Sequence, residues 1–400
     1  MPLISPYQGP LIKLRLARDL VRTIKRGHPW VYADALRQRP AAPAGAHAVL
    51  THKKQKRTLA RGFYDPRSPL AFRVCTVEPN QLLDDNWATK RMERAVRLRQ
   101  TLFDKQTTGY RLFNGEGDGL PGLICDIYGK GAVLQFDGAG PGNFWHQQGV
   151  AEWLAQTLSI EFGYLHGQSR HRGKGQLLLG DLSTDPIHFR ENGVHFTVDV
   201  VHGQKTGFFL DQRENRQHIR AVAANRHVLN LFGYTGGFSV YAGLGGATQV
   251  TTVDVAAPAL DAAGHHWRMN GLEAANHRTV QQDAFEFLAQ AIRDKRSWGL
   301  VIVDPPSFAS AKETISKALS AYERLMAAAA TVTAPDGLLA VASCSSHVDM
   351  PTFLGVCEAA IAQARRRATI LRISGQPPDH PSPLPFSEFR YLKFVLMQIE

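Results

Sequence analysis

Apolar and polar positions alternate near the start of the chain, where Ile12, Leu14 and Leu16 are separated by basic residues. Alternation with a period of two predicts a half-buried β-strand. Further short runs with strand character lie between Leu59 and Val77. We therefore predict that residues 1–78 form a small, mostly β domain.

The apolar pattern takes a helical period in the next segment. From Trp87 to Thr101 apolar residues recur every three or four positions, and the outer face is basic. We expect these basic side chains to lie on a solvated helix face. Two strands and a second helix are predicted further on: Leu123 to Tyr128, Ala132 to Phe136, and Gly149 to Leu158. Residues 79–187 are predicted to form a central α+β domain.

From residue 188 to residue 400, short apolar runs alternate with helical segments through short links. The region opens with a hairpin predicted to turn at Asn192-Gly193, a pair that favours two-residue hairpin loops. Strands that alternate with helices are typical of a mostly parallel sheet with helices on both faces. We therefore predict a doubly wound α/β domain here.

The centre of this domain is a strand, a glycine turn, a helix and a second strand. Val228 to Phe232 is the first strand, Phe238 to Leu244 the helix, and Gln249 to Val253 the second strand, which ends on Asp254. The turn contains Gly233, Gly236 and Gly237. Glycines let a backbone approach a nucleotide, and the acid can accept ribose hydroxyls. The spacing is not GxGxxG, which argues for an adenosine-bearing cofactor other than a dinucleotide.

Five loops of this domain follow predicted strands, at Gly233, Asp254, Asp283, Asp304 and Cys344. Ligands of open α/β sheets bind outside the carboxyl ends of the strands. We therefore expect these loops to gather at one edge of the sheet and to form the functional site.

Two of these loops carry side chains suited to catalysis. Two prolines follow Asp304, and they stiffen a loop whose carboxylate and carbonyls would suit the nitrogens of a flat base. Cys344 lies between two serines and three residues before His347. A thiol in such a loop is a nucleophile where basic surroundings lower its pKa. The remaining cysteines lie in apolar patterns and are predicted to be small buried hydrophobes: Cys75, Cys125 and Cys357.

The composition limits the class of protein. A length of 400 residues predicts two or three domains, and 44% hydrophobic residues suit well-packed globular domains. No apolar run reaches about 18 residues, and the N-terminus lacks the order of a signal peptide, so no membrane segment is expected. The four cysteines form no CxxC pair, which argues against a metal site, an iron–sulfur cluster or a disulfide framework. We expect a cytoplasmic protein.

The net charge of +11 is concentrated at the N-terminus. Residues 1–78 contain 15 lysines and arginines against four acidic residues, and the rest of the chain is neutral overall. Such an excess suggests a polyanionic partner, most simply nucleic acid, although a solvated basic domain would have the same charge. Lys53, Lys54, Lys56 and Arg57 are predicted to form a basic hairpin tip in this domain. A later glycine-bearing loop offers candidates for phosphate contact: Arg170, Arg172 and Lys174.

Together these motifs resemble the S-adenosylmethionine-dependent rRNA methyltransferases, in particular the bacterial group that makes 5-methylcytosine in large-subunit rRNA. The basic N-terminus is similar to that group's PUA domain, a small β-rich RNA-binding fold. The resemblance spans nearly the whole chain. The motifs that carry it are Asn114 to Leu123, Lys205 to Arg213, Asn230 to Phe238, Asp304-Pro305-Pro306, Ser343-Cys344-Ser345, Pro378 to Pro381 and Arg390 to Lys393.

The resemblance implies a Rossmann-like class I methyltransferase domain at residues 188–400, S-adenosyl-L-methionine as cofactor, and large-subunit rRNA as partner through the N-terminal domain. Asp254 would hold the ribose, Asp283 the adenine amino group, and the segment with Gln212 and Arg213 would close over the site. Together with these four, the implied cofactor-binding residues are Phe232, Gly233, Tyr234, Gly236, Gly237 and Asp304.

The resemblance also implies a covalent mechanism. Cys344 would attack C6 of the target cytosine, and C5 would then take the methyl group. Asp304 would hydrogen-bond or protonate N3 of the ring. Attack on C6 and methyl transfer to C5 both need a flipped or single-stranded base. Ser307 and Phe308 follow the proline loop, where some RNA cytosine methyltransferases have a second cysteine to release the product.

Three features depart from the group's pattern. Ile127 follows Asp126 where the group often has arginine, Phe389 precedes Arg390 where glycine is common, and the Lys53–Arg57 run is unusually basic. Two alternatives stay open: methylation of a base nitrogen, such as guanine N7 or an exocyclic amine, and a non-enzymatic RNA-binding or ribosome-assembly protein. We favour cytosine C5 methylation. The rRNA position and the existence of a homodimer are left open.

Overall fold

The computed structural model describes residues 1–52, 57–167, 175–182, 186–203, 206–308 and 315–400, which form two compact units. The first comprises Met1–Gly193, Thr197–Leu210 and Pro378–Phe389. The second comprises Val194–Phe196, Asp211–Pro377 and Arg390–Glu400. The division into three domains, with boundaries after residues 78 and 187, stays a prediction. Several basic residues named above lie outside the described residues: Lys53, Lys54, Lys56, Arg170, Arg172, Lys174 and Lys205.

The first unit opens with five strands and one short helix: β1 (Ile12–Arg15), α1 (Val21–Lys25), β2 (Trp30–Val31), β3 (Ala46–Thr51), β4 (Thr58–Tyr64) and β5 (Phe72–Thr76). The strands form one sheet in the order β1-β3-β4-β5-β2, in which β1 runs parallel to β3 and the other pairs are antiparallel. Leu14 and Leu16 are buried, whereas Lys13 and Arg15 are exposed. The predicted alternation is therefore confirmed.

A second sheet of this unit is formed by the predicted central segment. Its elements are α2 (Asp85–Leu102), β6 (Gly109–Asn114), β7 (Leu123–Tyr128), β8 (Gly131–Phe136), α3 (Ala139–Phe144), α4 (Gln147–Leu158), β9 (Phe162–Leu165) and β10 (Gln176–Leu179). The strand order is β10-β9-β8-β7-β6. The carboxylate of Asp84 accepts a hydrogen bond from the backbone N–H of Trp87 and so caps α2.

One basic residue of α2 is not solvated. Arg99 is 2% exposed, and its Nη1 and Nη2 donate to the two carboxylate oxygens of Asp118 at 2.6 and 2.9 Å. Nη2 also donates to the carbonyl oxygen of Asp379 at 2.7 Å. The expectation of a solvated face is wrong for Arg99, because paired hydrogen bonds to a carboxylate compensate for the lost hydration.

The segment Pro378–Phe389 belongs to the first unit although it lies near the end of the chain. The carboxylate of Asp379 accepts a hydrogen bond from the backbone N–H of Arg111 at 3.0 Å. The ring of Phe386 packs edge to face on Trp30, with ring centroids 4.5 Å apart. This late segment therefore packs against residues from the first half of the chain.

The predicted hairpin is confirmed as β11 (Ile187–Glu191) and β12 (Val194–Val198). Asn192 and Gly193 connect the strands with φ angles of 51° and 79°. Positive φ at both central residues matches the twist of the flanking strands, and asparagine and glycine adopt it most readily.

The second unit contains a seven-stranded sheet with helices between its strands. Its elements are α5 (Arg213–Val222), β13 (His227–Leu231), α6 (Gly237–Leu244), β14 (Gln249–Asp254), α7 (Ala257–Met269), β15 (His277–Gln281), α8 (Ala284–Arg293), β16 (Trp298–Val303), α9 (Ile315–Val332), β17 (Thr333–Ser343), α10 (Met350–Gln363), β18 (Ala368–Ser374) and β19 (Lys393–Ile399). The strand order is β15-β14-β13-β16-β17-β19-β18, and β19 alone runs antiparallel to both neighbours. The predicted mostly parallel α/β sheet is confirmed.

The register of the parallel strands brings their carboxyl ends together. Leu231 is paired with Val253 on one side and with Val303 on the other, and Val303 is paired with Val341. The direction of the strand order reverses between β13 and β16, and open α/β sheets bind ligands at such a point. The residues that follow these strands therefore form the candidate site.

Candidate active site

The glycine turn after β13 has an unusual backbone. Phe232, Tyr234 and Gly236 have φ angles of 57°, 45° and 79°. Positive φ is uncommon for residues other than glycine, and it is concentrated at functional sites. A Cβ atom on Gly236 would lie 2.7 Å from Cβ of Ala263 on α7, so the turn packs directly on that helix. The predicted turn is therefore present, and a glycine is required at its third φ-positive position.

The acid at the end of β14 is fixed against this turn. Oδ2 of Asp254 accepts a hydrogen bond from the backbone N–H of Tyr234 at 2.9 Å, and Oδ1 accepts one from Ala256 at 3.0 Å. A carboxylate has about four acceptor positions, so the half-buried group can accept further hydrogen bonds. The next side chain, Val255, is 64% exposed and offers an apolar surface beside the acid.

A buried polar network lies beneath the turn. Nδ2 of Asn230 donates to Oγ of Ser239 at 2.8 Å, which lies 2.6 Å from Oγ1 of Thr252. Oγ1 of Thr252 lies 2.8 Å from Nε2 of His277, and burial lowers the pKa of this imidazole to about 4. The imidazole is therefore neutral near pH 7. Within the part of the chain that the structure describes, Oδ1 of Asn230 is buried and has no hydrogen-bond partner.

Asp304 follows β16 and is half-buried, with Pro305 buried behind it. Its Oδ2 accepts a hydrogen bond from Nε2 of Gln212 at 2.9 Å. Oε1 of Gln212 in turn accepts one from Nδ2 of Asn215 at 2.6 Å, and Oδ1 of Asn215 accepts one from Ser374 at 2.7 Å. The structure therefore brings Gln212 and Asp304 into direct contact and fixes the carboxylate through side chains of α5 and β18.

Arg213, the neighbour of Gln212, is fully buried at the start of α5, with its Nε 3.3 Å from Oε1 of Glu214. Asp283, two residues after β15, is exposed and caps α8 through hydrogen bonds from the backbone N–H groups of Phe285 and Glu286 at 2.8 and 3.2 Å. Both residues thus have a structural contact in addition to the cofactor contact expected of them.

Cys344 directly follows β17 and is half-buried, between the buried Ser343 and Ser345. Oγ of Ser343 donates to the hydroxyl oxygen of Tyr322 on α9 at 3.1 Å. Burial raises the pKa of Tyr322, and the negative charges of Cys344 and Asp304 act in the same direction. Tyr322 therefore lies within electrostatic reach of both proposed reactive groups.

Tyr322 is one site residue that its local sequence does not predict, and Lys393 is a second. Its ammonium donates hydrogen bonds to the carbonyl oxygens of Ser345 and Tyr391. The sequence around it contains no local signal that this lysine is buried, because burial here depends on strand pairing near the C-terminus. Neither Tyr322 nor Lys393 could be assigned to the site from its local pattern.

The three other cysteines are buried, as predicted. Burial raises the pKa of the Cys75 and Cys125 thiols far above the ordinary range and that of Cys357 to about 12. These thiols are therefore protonated and inaccessible near neutral pH. Among the described residues there is no cluster of three or more metal-ligating side chains. No helix in the same residues has the length and apolarity needed to cross a membrane.

The residues present fit an adenosine-bearing group. The φ-positive turn offers backbone at close range, the carboxylate of Asp254 has acceptor capacity left, and Val255 presents apolar surface next to it. These features lie where open α/β sheets bind nucleotides.

Comparison with known proteins agrees with this geometry. Residues 161–395 match the S-adenosylmethionine-dependent methyltransferase family, and residues 14–76 match a PUA-like domain. A relative from Deinococcus radiodurans, named ribosomal RNA large subunit methyltransferase, is 37% identical over 98% of both chains. Ribosomal RNA large subunit methyltransferase I of Aeromonas salmonicida is 33% identical over 96% of this chain and 98% of the relative.

Solved structures give the same result. SMU.776, described as a methyltransferase and complexed with SAH, is 25% identical with a TM-score of 0.86, covering 97% of this chain and all of the other. A SAM-dependent methyltransferase from Streptococcus mutans shares the fold, with a TM-score of 0.85 at 24% identity and the same coverage. The chain therefore has the class I methyltransferase fold, uses S-adenosylmethionine, and belongs to the family of S-adenosylmethionine-dependent methyltransferases whose members are named ribosomal RNA large subunit methyltransferases.

Proposed function

We propose that this enzyme forms 5-methylcytosine in large-subunit rRNA, with Cys344 as the nucleophile. The observation that carries the proposal is the position of the thiol. Of the four cysteines, Cys344 is the one that is not fully buried, and it lies at the carboxyl end of β17, next to the strand that precedes Asp304. A nitrogen methyltransferase needs no thiol at this place.

The cofactor would lie over the glycine turn. Asp254 would accept hydrogen bonds from the ribose hydroxyls, and Val255 would contact the adenine. Asp283 uses Oδ1 for its cap, and Oδ2 would accept from the adenine amino group. The backbone of the turn would border the rest of the cofactor: Phe232, Gly233, Tyr234, Gly236 and Gly237. Gln212, which contacts Asp304, and its neighbour Arg213 would close over the site.

Cys344 and Asp304 would act on different atoms of the same ring. The thiolate Sγ forms a bond to C6 of cytosine, and the electron pair of the C5–C6 double bond makes C5 nucleophilic. Asp304, oriented by Gln212, donates a proton to N3 and so neutralises the negative charge that moves onto the ring. Bound S-adenosylmethionine supplies an electrophilic methyl group. A base then removes the C5 proton, the electron pair of that C–H bond re-forms the C5–C6 double bond, and the Sγ–C6 bond breaks to return the thiolate.

The rRNA would be held in part by the basic N-terminal domain. Residues 14–76 match a PUA-like domain, and the names of the relatives specify large-subunit rRNA as their substrate. Exposed basic side chains on the first sheet, on α1 and in the neighbouring loops would contact phosphates: Lys13, Arg15, Arg18, Arg22, Lys25, Arg26, Arg37 and Arg39.

The proposal is tested by incubating the enzyme with large-subunit rRNA and S-adenosylmethionine labelled in its methyl group. Nucleosides from digested RNA are then identified by mass spectrometry, and RNase fragments locate the position. We expect the label in 5-methylcytosine. Label in N7-methylguanosine or in an exocyclic amine would instead show nitrogen methylation.

Replacing Gly236 by alanine should weaken cofactor binding by about tenfold or more. Alanine would have to adopt a strained φ of 79° at this position, and its Cβ would lie 2.7 Å from Cβ of Ala263, so the turn must move. Titration calorimetry with S-adenosylhomocysteine measures the change. Gly271→Ala is the matched control, because φ is 71° there but nothing lies within 4 Å of the new Cβ. Equal losses in both variants would contradict the assignment of the turn.

A further inference from the structure

Lys393 is a buried cation beside the loop that carries Cys344. The lysine is 2% exposed and begins β19, where strand pairing places it opposite Ser343, one residue before Cys344. Its Nζ donates to the carbonyl oxygen of Ser345, one residue after Cys344, and to that of Tyr391 at 2.6 Å. The ammonium therefore contacts the backbone on one side of the cysteine, and the lysine pairs with the strand on the other.

This cation lacks the usual compensation for burial. Within the described part of the chain, Lys393 forms no salt bridge with a carboxylate. Its ammonium has three N–H donors, and the hydrogen-bond acceptors described for them are the carbonyl oxygens of Ser345 and Tyr391. A buried ammonium is costly unless it is paired, so such a residue calls for a functional reason. Burial lowers the pKa of Lys393 to about 8, and the negative charges that oppose this shift are Cys344 first and Asp349 second.

The other titratable groups described near Lys393 and Cys344 are not buried cations. Asp349 is exposed and caps α10 by accepting from the backbone N–H of Thr352 at 2.9 Å. Tyr322 on α9 interacts electrostatically with Cys344, and burial raises the pKa of its hydroxyl, so it stays neutral near pH 7. His347 lies exposed on the same loop. Lys393 is thus the described buried cation whose charge interacts with Cys344.

We infer that Lys393 is a positioning residue for Cys344, holding the Ser343–Ser345 loop in place and stabilising the thiolate by its charge. The thiol proton passes to bulk water, the ammonium keeps its three protons, and Sγ is left with the electron pair that attacks C6. A cation close to a thiol lowers the thiol pKa by about one to three units. The inference rests on the proposed role of Cys344 as nucleophile.

Thiol alkylation tests this inference without any methyl transfer. The full-length protein is treated with iodoacetamide from pH 5.5 to 10, and the alkylated peptide is identified by mass spectrometry. Cys344 should be the residue that reacts, because the other three thiols are buried. The variants are Lys393→Met, Lys393→Gln and Lys393→Arg, with Lys317→Met as a matched control at an exposed lysine of the same unit.

The wild-type enzyme should show an alkylation midpoint below about 8.5, the ordinary value of a free thiol. Lys393→Met and Lys393→Gln should raise the midpoint by about one pH unit or more, and so slow alkylation at pH 7 by about tenfold. Lys393→Arg should retain most of the low midpoint, and the control should match the wild type. Because the glutamine keeps a donor for Ser345 but no charge, it separates electrostatic stabilisation from loop placement.

A wild-type midpoint at or above about 8.5 would overturn the inference, as would an unchanged midpoint in a folded Lys393→Met protein. Circular dichroism shows whether the variants are folded, and if they are not, the wild-type midpoint decides. If the midpoints shift as expected but the RNA carries no 5-methylcytosine, the proposed function fails while the pairing of Lys393 with Cys344 stands. Normal 5-methylcytosine formation with unshifted midpoints would instead support the proposed function and overturn the role of Lys393.

Discussion

Cys344→Ala should abolish formation of 5-methylcytosine, with a loss of rate of about 10⁴-fold or more. Without Sγ no bond to C6 can form, and C5 of an unmodified cytosine is a poor nucleophile for a methyl group. The fold should be unaffected, because Cys344 is half-buried in a loop and alanine fits the same space. The measurement is the rate at which labelled methyl groups enter 5-methylcytosine in large-subunit rRNA.

Two further results belong to this prediction. Cys357→Ala, at a buried cysteine of α10, should retain activity, and Cys344→Ala should bind S-adenosylhomocysteine as the wild type does. RNA that contains 5-fluorocytidine at the target should remain covalently attached to the wild-type protein in a denaturing gel, because fluorine on C5 prevents the final proton loss. The alanine variant should give no such adduct. Unchanged methylation by the variant would transfer our preference to a nitrogen methyltransferase.

Asp304→Asn is expected to lower kcat by about 10²- to 10⁴-fold, the range for loss of a group that transfers a proton or stabilises charge in the transition state. Asparagine has nearly the same shape, and its carbonyl oxygen can still accept the hydrogen bond that Gln212 donates at 2.9 Å. The change therefore removes the acid that gives a proton to N3, while the loop, stiffened by Pro305 and Pro306, keeps its position. Single-turnover rates with saturating RNA measure this effect.

The matched control for this substitution is Asp294→Asn, at an exposed acid at the end of α8 in the same unit. It should leave kcat unchanged. The KM for RNA should change much less than kcat in Asp304→Asn, because the interaction with N3 strengthens as the Sγ–C6 bond forms. A kcat within about twofold of the wild type would contradict the assigned role of Asp304.

The parts of the site that depend on local pattern can be predicted from the sequence. The apolar run around Asn230, the glycines after it and the acids at the ends of β14 and β16 all lie in short segments, and parallel pairing then brings them to one edge. The order of strands and helices likewise follows from alternation of periods two and 3.6. These features are predictable because each depends on neighbours within about ten residues.

Contacts between distant segments cannot be predicted in this way. Gln212 reaches Asp304 across 92 residues of chain, and Lys393 reaches Ser345 across 48. The basic face of α2 predicts a solvated Arg99, but the position of this residue on the helix turns it towards Asp118 instead. In each case a polar side chain takes its role from a partner that only the tertiary fold supplies.

The return of Pro378–Phe389 to the first unit has a consequence for how the protein is made. A ribosome that adds about 5 to 20 residues per second needs roughly 10 to 40 s between Gly193 and Phe389. During that time Arg99 and the backbone N–H of Arg111 lack the partners that Asp379 provides, and Trp30 lacks Phe386. The N-terminal unit is therefore finished after most of the methyltransferase sheet has been synthesised. A stop codon shortly before residue 378 should therefore destabilise the first unit as well as the second.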